Sequence, residues 1–333
     1  MDTKVFLREE ERFVTVDITD IKKPKITGIM QLKWQRIINL IAKLLNVPSG
    51  LIMRITPDSM EVFLKSENDE NPYNVGGSDS LGNGLYCETV IGKDEELLID
   101  NALKYKKWED NPDVKLNMIA YYGVPVKWPD QSYFGTICVL DDKENSFNET
   151  YRELITEFKG TLENDLELLM NSTELEYLAN YDALTGVYNR RKVETVLQDE
   201  VDRYARLKET FSMVLFDLDN FKNVNDTLGH EAGDQALVVF VEAVKSNIRN
   251  IDNFGRYGGD EFLLICPGTD TEGVEALMEK LEPLVLKKIH TISEIVGFSY
   301  GISTIDESIL TSEELVKLAD QKMYKMKSEH KNK

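Results

Sequence analysis

The chain of 333 residues holds 59 acidic and 39 basic residues, a formal charge of −20, and 42% of its residues are hydrophobic. That is apolar material for more than one core, so two domains are expected, while the negative surplus argues against a surface for duplex DNA or an anionic membrane. No stretch has the apolar length of a bilayer span, and the first residues, with Asp2, Arg8 and Glu9 to Glu11, lack a signal-peptide core, so a cytoplasmic protein is expected. Cys87, Cys138 and Cys266 lie far apart without a Cys-x-x-Cys spacing and are read as reduced core residues. All three histidines, His230, His290 and His330, fall in the second half, which argues against a His-ligated haem or iron centre in the first.

Residues 1–27 are charged, contain Pro24 and are assigned no element beyond a short strand at Phe13 to Ile18. Leu32, Ile37, Ile38, Ile41, Leu44 and Leu45 recur at helical spacing, and Pro48-Ser49-Gly50 ends that helix. Strands follow at Leu51 to Ile55 and Met60 to Leu64, then an irregular Gly-rich stretch from Gly76 to Gly84 that leads to Leu85-Tyr86-Cys87-Glu88-Thr89-Val90. Two further strands, Met118 to Val126 and Gly135 to Leu140, flank Trp128-Pro129-Asp130-Gln131, which has the composition of a hairpin turn. Tyr151, Ile155, Phe158, Leu162, Leu166 and Leu169 form the stripe of a long helix over residues 151–178. Its partner is either a second copy in a parallel coiled coil or the helix's own domain.

In the second half the run Phe211 to Phe216 ends in Asp217 and reads as a strand with an acid at its end. Some 40 residues on, Arg256-Tyr257-Gly258-Gly259-Asp260-Glu261-Phe262 reads as a hairpin with two adjacent acids at its tip. If the two strands pair, one pocket draws on both sets of carboxylates. Taken singly, each phrase is better explained as a solvated loop.

Together the phrases are specific. Asp182-Ala183-Leu184-Thr185-Gly186, Phe216-Asp217-Leu218-Asp219-Asn220-Phe221-Lys222-Asn223-Val224-Asn225-Asp226, Gly229-His230-Glu231-Ala232-Gly233-Asp234, the Gly-Gly-Asp-Glu-Phe hairpin and Ala319 to Lys327 occur in the order of the GGDEF family of diguanylate cyclases, which residues 175–333 resemble. The order helix, two strands, irregular segment, two strands, long helix, with Gly123-Val124-Pro125-Val126 and Ser146-Phe147-Asn148-Glu149, resembles a GAF domain. The resulting expectation is an α+β chain of two domains: an unassigned segment 1–27, a GAF-like antiparallel sheet with helices (28–150), a helical linker (151–178), and a GGDEF α/β sandwich (179–333).

The resemblance implies the chemistry residue by residue. Metal ligands would be Asp217, the carbonyl of Leu218, and Asp260, holding magnesium or, alternatively, manganese, with Asp219 left outside the set. Glu261, Asp260 and Lys222 carry the catalytic positions, and Asn225, Asp234, Phe221, Lys222, Lys327 and Lys331 the substrate positions. A carboxylate at Asp234 and a carboxamide at Asn225 suit the edge of guanine and not adenine, which makes GTP the expected substrate. Lys331 stands where the family has arginine and His330 where it has glycine, so that phosphate contact loses its bidentate fork. Arg249-Asn250-Ile251-Asp252 has the Arg-x-x-Asp form of the family's inhibitory site for the product, cyclic di-GMP. The implied reaction condenses two GTP in a homodimer and releases two pyrophosphates, with a small molecule of unknown kind in the GAF-like domain as regulator. The rival is a catalytically silent cyclic di-GMP receptor.

Overall fold

The structure, a computed structural model, describes residues 1–18 and 23–331, Lys331 by its backbone alone, and divides into two compact units, 1–173 and 174–333.

The first unit begins with a hairpin of β1 (Asp2–Leu7) and β2 (Arg12–Asp17), of which the sequence suggested only the second strand. Helix α1 (Gly28–Leu45) is capped by Thr27, whose side chain accepts from the Met30 amide, and ends on the left-handed Asn46. Six strands follow: β3 (Ser49–Ile55), β4 (Ser59–Lys65), β5 (Ser78–Ser80), β6 (Leu97–Ile99), β7 (Ala120–Lys127) and β8 (Tyr133–Asp141). They form one antiparallel sheet in the order β5-β4-β3-β8-β7-β6. Residues 85–93 supply a helix, α2 (Tyr86–Lys93), and α3 runs from Glu149 to Asn180.

Because side chains alternate across a sheet, the central strands feed two cores. On one face Ile52, Tyr122, Phe134 and Ile137 pack with α1 and α3 through Trp34, Ile155, Leu162 and Leu166. The Trp34 indole donates to Asp165 of α3 at 2.9 Å, which ties the two helices together. On the other face Leu51, Met53, Met60, Tyr121 and Cys138 pack with α2 and the β1–β2 hairpin. All three cysteines are free and buried; the Cys87 thiol accepts from Thr136 and lies 3.4 Å from the Tyr121 hydroxyl.

The second unit contains α4 (Arg190–Leu207), β9 (Phe211–Asp219), α5 (Phe221–Leu228), α6 (His230–Lys245), β10 (Asn253–Arg256), β11 (Glu261–Pro267), α7 (Thr271–Ile289), β12 (Gly297–Thr304) and α8 (Ser312–Lys331). Its antiparallel sheet has the order β10-β11-β9-β12, so β9 is interior and pairs on both sides. Phe216, Leu218, Phe262 and Phe298 meet α6 and α7 on one face, whereas Met213, Leu215, Leu263 and Ile265 meet α4 and α8 on the other. Alternation then assigns Asp217 and Asp219 to the α8 face. α8 lies hard on β12, for a Cβ at Gly301 would overlap the Ala319 carbonyl and the Met323 amide. Among the described residues no helix is long and apolar enough to cross a membrane.

Phe216 is fully buried, next to Asp217, with the rings of Phe240, Phe254 and Phe298 at 5.7–6.1 Å. Phe216→Ala is expected to destabilise the second unit by about 3–5 kcal/mol, read as an earlier unfolding transition in urea, with the transition of the first unit unchanged.

Candidate active site

The pairing register decides the site. In the β9–β11 ladder Glu261 stands opposite Asp217, and the Leu218 amide donates to the Asp260 carbonyl at 3.1 Å, so the strand end and the acidic turn lie side by side. Asp260 sits in the turn between β10 and β11, whereas Glu261 is already the first residue of β11, one step inside the tip expected for both acids. The turn closes through the Tyr257 and Gly258 amides, which donate to the Glu261 carbonyl at 2.8 and 3.1 Å. β9 also extends past Asp217 to Asp219, which brings both aspartates onto one face.

A clamp that sequence reasoning left without a role holds this turn. Arg256 donates from Nε and Nη2 to the Gly259 carbonyl at 3.0 and 2.6 Å and from Nη1 to both oxygens of Asp182 at 3.2 Å. Asp182 in turn accepts from the amide and hydroxyl of Thr185. The entrance segment is thus fastened to the hairpin by a forked, largely buried ion pair, geometry that a guanidinium provides and an ammonium does not. The signal was present as Asp182 and Arg256 in two separate phrases, but their pairing needed three dimensions.

Cations are outnumbered at the acids. Lys327 of α8 reaches Asp217 at 2.5 Å. The Asp217 carboxyl is still raised above its ordinary value: burial lifts it most, Lys327 pulls it back, and Asp260 and Asp219 push it up again. Glu261 is raised for the same reasons, burial first and then Asp217, Asp260 and Asp320. Asp219 has separate company, accepting from the Ser299 hydroxyl at 2.9 and 3.0 Å with His330 Nδ1 at 3.1 Å. Here the serine and histidine both converge on the aspartate, an arrangement that braces α8 on β9 and β12 and does not activate the hydroxyl.

Other expected residues fall as follows. Asn225 of α5 packs against Gly233, where a Cβ would overlap its Oδ1, so the small residue brings the carboxamide beside the start of α6 that carries Asp234. Lys222 is exposed in the first turn of α5, and Phe221 is half-buried against the core. The side chain of Lys331 lies outside the described residues. Arg249 and Asp252 form an ion pair at 3.1 Å with the aspartate side chain fully buried, and Arg249 also donates to Thr269 at 2.5 Å. They line a cleft with Lys245, with Tyr188 of the Asp182 to Arg190 phrase, and with Tyr181, to which the sequence assigned no role.

The donor set fits a hard divalent cation, since Asp217, Asp260 and the Leu218 carbonyl offer only oxygen. No three metal-ligating side chains converge among the described residues, so protein groups alone do not complete a shell. A divalent cation there would need further oxygen ligands from outside the protein.

Residues 179–333 match the family model described as diguanylate cyclase, GGDEF domain, and residues 31–164 match the GAF domain model. The chain joins a GAF domain to a GGDEF domain. Its GGDEF half is 34% identical over 168 residues to Escherichia coli DgcC, named "Probable diguanylate cyclase DgcC", covering 50% of this chain and 45% of that one. A 28% identity extends over 229 residues to the diguanylate cyclase DgcP of the same organism, 66% of this chain and 67% of the relative. The chain thus spans about half the length of DgcC and two thirds of DgcP. Among solved structures, a GGDEF domain described with cyclic di-GMP is 33% identical at a TM-score of 0.40, over 46% of this chain and 94% of that one. The cyclase SiaD of Pseudomonas aeruginosa, solved with its activator SiaC, is 29% identical at 0.43, over 54% and 72%.

The raised Glu261 carboxyl has a consequence for stability. A folded pKa above the unfolded value makes the ionised form costly, so the GGDEF domain loses stability as pH rises through it. Glu261→Gln is expected to melt higher than the parent at neutral pH without metal, with the difference vanishing below about pH 4 where the carboxyl is protonated in both states. Calorimetry across pH checks this.

Proposed function

We propose that the protein is a diguanylate cyclase that condenses two GTP into cyclic di-GMP and releases two pyrophosphates. The observation that carries the reading is the β9–β11 register, which sets Glu261 against Asp217 with Asp260 alongside. Asn225 and Asp234 take the guanine edge, a pair of groups that donates and accepts as guanine requires. Lys327, already at the acids, and Lys222 at the start of α5 meet the phosphates. A divalent cation, magnesium or alternatively manganese, held by Asp217, Asp260 and the Leu218 carbonyl supplies positive charge where the α-phosphate accumulates negative charge.

Glu261 is the candidate base for the ribose 3′-hydroxyl, since its raised carboxyl lies closer to the range in which a carboxylate accepts a proton usefully. One domain presents one GTP, so the reaction needs two copies facing each other, and the twofold symmetry of the product matches that of a homodimer. The stripe of α3 is not the seam of that dimer, because Ile155, Leu162 and Leu166 are fully buried against α1 and the sheet of the helix's own domain. In this reading the GAF domain is the regulatory module, and GTP as substrate with three free, buried cysteines supports a cytoplasmic setting.

Incubation of the purified protein with GTP and magnesium is expected to yield cyclic di-GMP by mass spectrometry, and Asp217→Asn to lower turnover on the order of a hundredfold or more. Product absent from a dimeric parent protein would defeat the reading and leave the receptor.

The Arg249–Asp252 pair is the inhibitory site in this reading, with Arg249 more than half exposed and able to turn from Asp252 to a phosphate or guanine edge. Arg249→Ala is expected to raise the cyclic di-GMP concentration for half inhibition at least tenfold, with initial turnover preserved. Unchanged inhibition in progress curves would remove the assignment.

A further inference from the structure

Between the sheet and α2 of the GAF domain lies a cavity of about 240 Å³, room for roughly eight waters at ~30 Å³ each and so for one ring with a short arm. Its walls are largely apolar and aromatic, with Met53, Met60, Leu140, Tyr73 and Tyr121 among them. Two carboxylates, Asp113 and Asp79, also line it, and among the described residues no lysine, arginine or histidine does. Arg8, on the neighbouring hairpin, is committed to the carbonyls of Asn83 and Gly84 at 2.7 and 2.9 Å.

That inventory discriminates among ligands. A phosphate or carboxylate would leave water for a site with two like charges and no base, which is costly on both counts. A cation meets the opposite: a carboxylate, aromatic faces, and polarisable thioethers around an apolar body. Tyr73 fixes Asp113 with a hydrogen bond of 2.6 Å, so the carboxyl is pre-positioned and retains acceptor capacity. The charge of Asp113 also reaches Tyr86, whose buried hydroxyl has no hydrogen-bond partner.

We propose that this cavity binds a compact organic ammonium ion, a primary amine on a short arm from a single ring, with its nitrogen on Asp113. Cyclic nucleotides and organic acids are excluded by the same groups. The proposal deepens the reading of the GAF domain as the regulatory module and does not depend on what the GGDEF domain catalyses.

Burial lifts the Asp113 carboxyl to about 6, the Tyr73 hydrogen bond lowers it and Asp79 raises it. Of the other titratable groups placed around Asp113, burial raises the phenols of Tyr86 and Tyr121 and the thiol of Cys138 above their ordinary values, which keeps them neutral near pH 7. Amine binding therefore weakens as pH falls through about 6 and the carboxyl takes up its proton.

The test is calorimetric titration of the full chain with three isosteric probes, phenethylamine, 2-phenylethanol and phenylacetate, at neutral pH and at pH 5. The expected result is phenethylamine at least tenfold tighter than the alcohol, no phenylacetate binding, and loss of the amine preference at pH 5 and in Asp113→Asn. Phenylacetate binding as well as the amine, an amine preference intact in Asp113→Asn, or no heat with any probe at millimolar concentration overturns the proposal. Selectivity of the parent protein decides the matter even if the variant fails to fold. GTP turnover is assayed separately on the parent protein without amine, so a failure of the cyclase reading does not bear on the amine result.

Discussion

One ladder of hydrogen bonds carries the chemistry of the second domain: the antiparallel pairing of β9 with β11 that places Glu261 against Asp217. A slip of one residue would turn both carboxylates to the opposite face, into the packed phenylalanines around Phe216. The register is held from several directions. Phe216, Leu218 and Phe262 want the aromatic core, Met213, Leu215 and Leu263 want α4 and α8, and Arg256 pins the far end of the hairpin to Asp182. Packing on both faces of an interior strand leaves a single pairing that satisfies every side chain, and the acids follow from it without needing any attraction of their own.

The acids in fact repel. Asp217 and Glu261 are both pushed upward, and Lys327, in contact with Asp217, does not cancel the effect on it. A domain that retains such a cluster gives up stability in its empty state, a cost that the binding of cations and phosphates later offsets. The brace of His330 and Ser299 on Asp219 limits how far the cluster loosens, because it ties α8, which also carries Lys327, to the two strands beneath. Where the family resembled by this chain has glycine, the histidine thus has a local task that can be seen in the packing.

What was legible in the sequence depended on how local the cause was. Helix α1 and strand β4 announce themselves through periodicity, since each buries one face against one neighbour. The Gly-Gly turn with its flanking acids was legible because a tight turn and a carboxylate pair are encoded within seven residues. β1 was missed: although Val5 and Leu7 are buried on alternate positions, Asp2, Lys4 and the charged turn that follows hide the strand in a short N-terminal run. The irregular segment is expected to hold short helices, but α2 is not located within it, for Tyr86 to Ile91 are buried on nearly all sides and buried helices lack an amphipathic rhythm. The Arg256–Asp182 clamp and the tyrosines beside Arg249 join segments about 70 residues apart, so no local pattern announces them.

The two domains arrive at a shared electrostatic device on unrelated sheets. In the GAF domain burial holds Asp113 near 6 in a cavity that no base among the described residues lines, and in the GGDEF domain burial and mutual repulsion hold Asp217 and Glu261 high despite Lys327 and Arg190. Each cluster is an excess of negative charge in part-buried surroundings, which is the common ground of the two proposals that each takes a cation. The net charge of −20 adds a background that favours the same sign everywhere on the surface. An anionic ligand is disfavoured by that background, so under the proposed reading the lysines of α5 and α8 would act as a local correction to a field that otherwise opposes GTP.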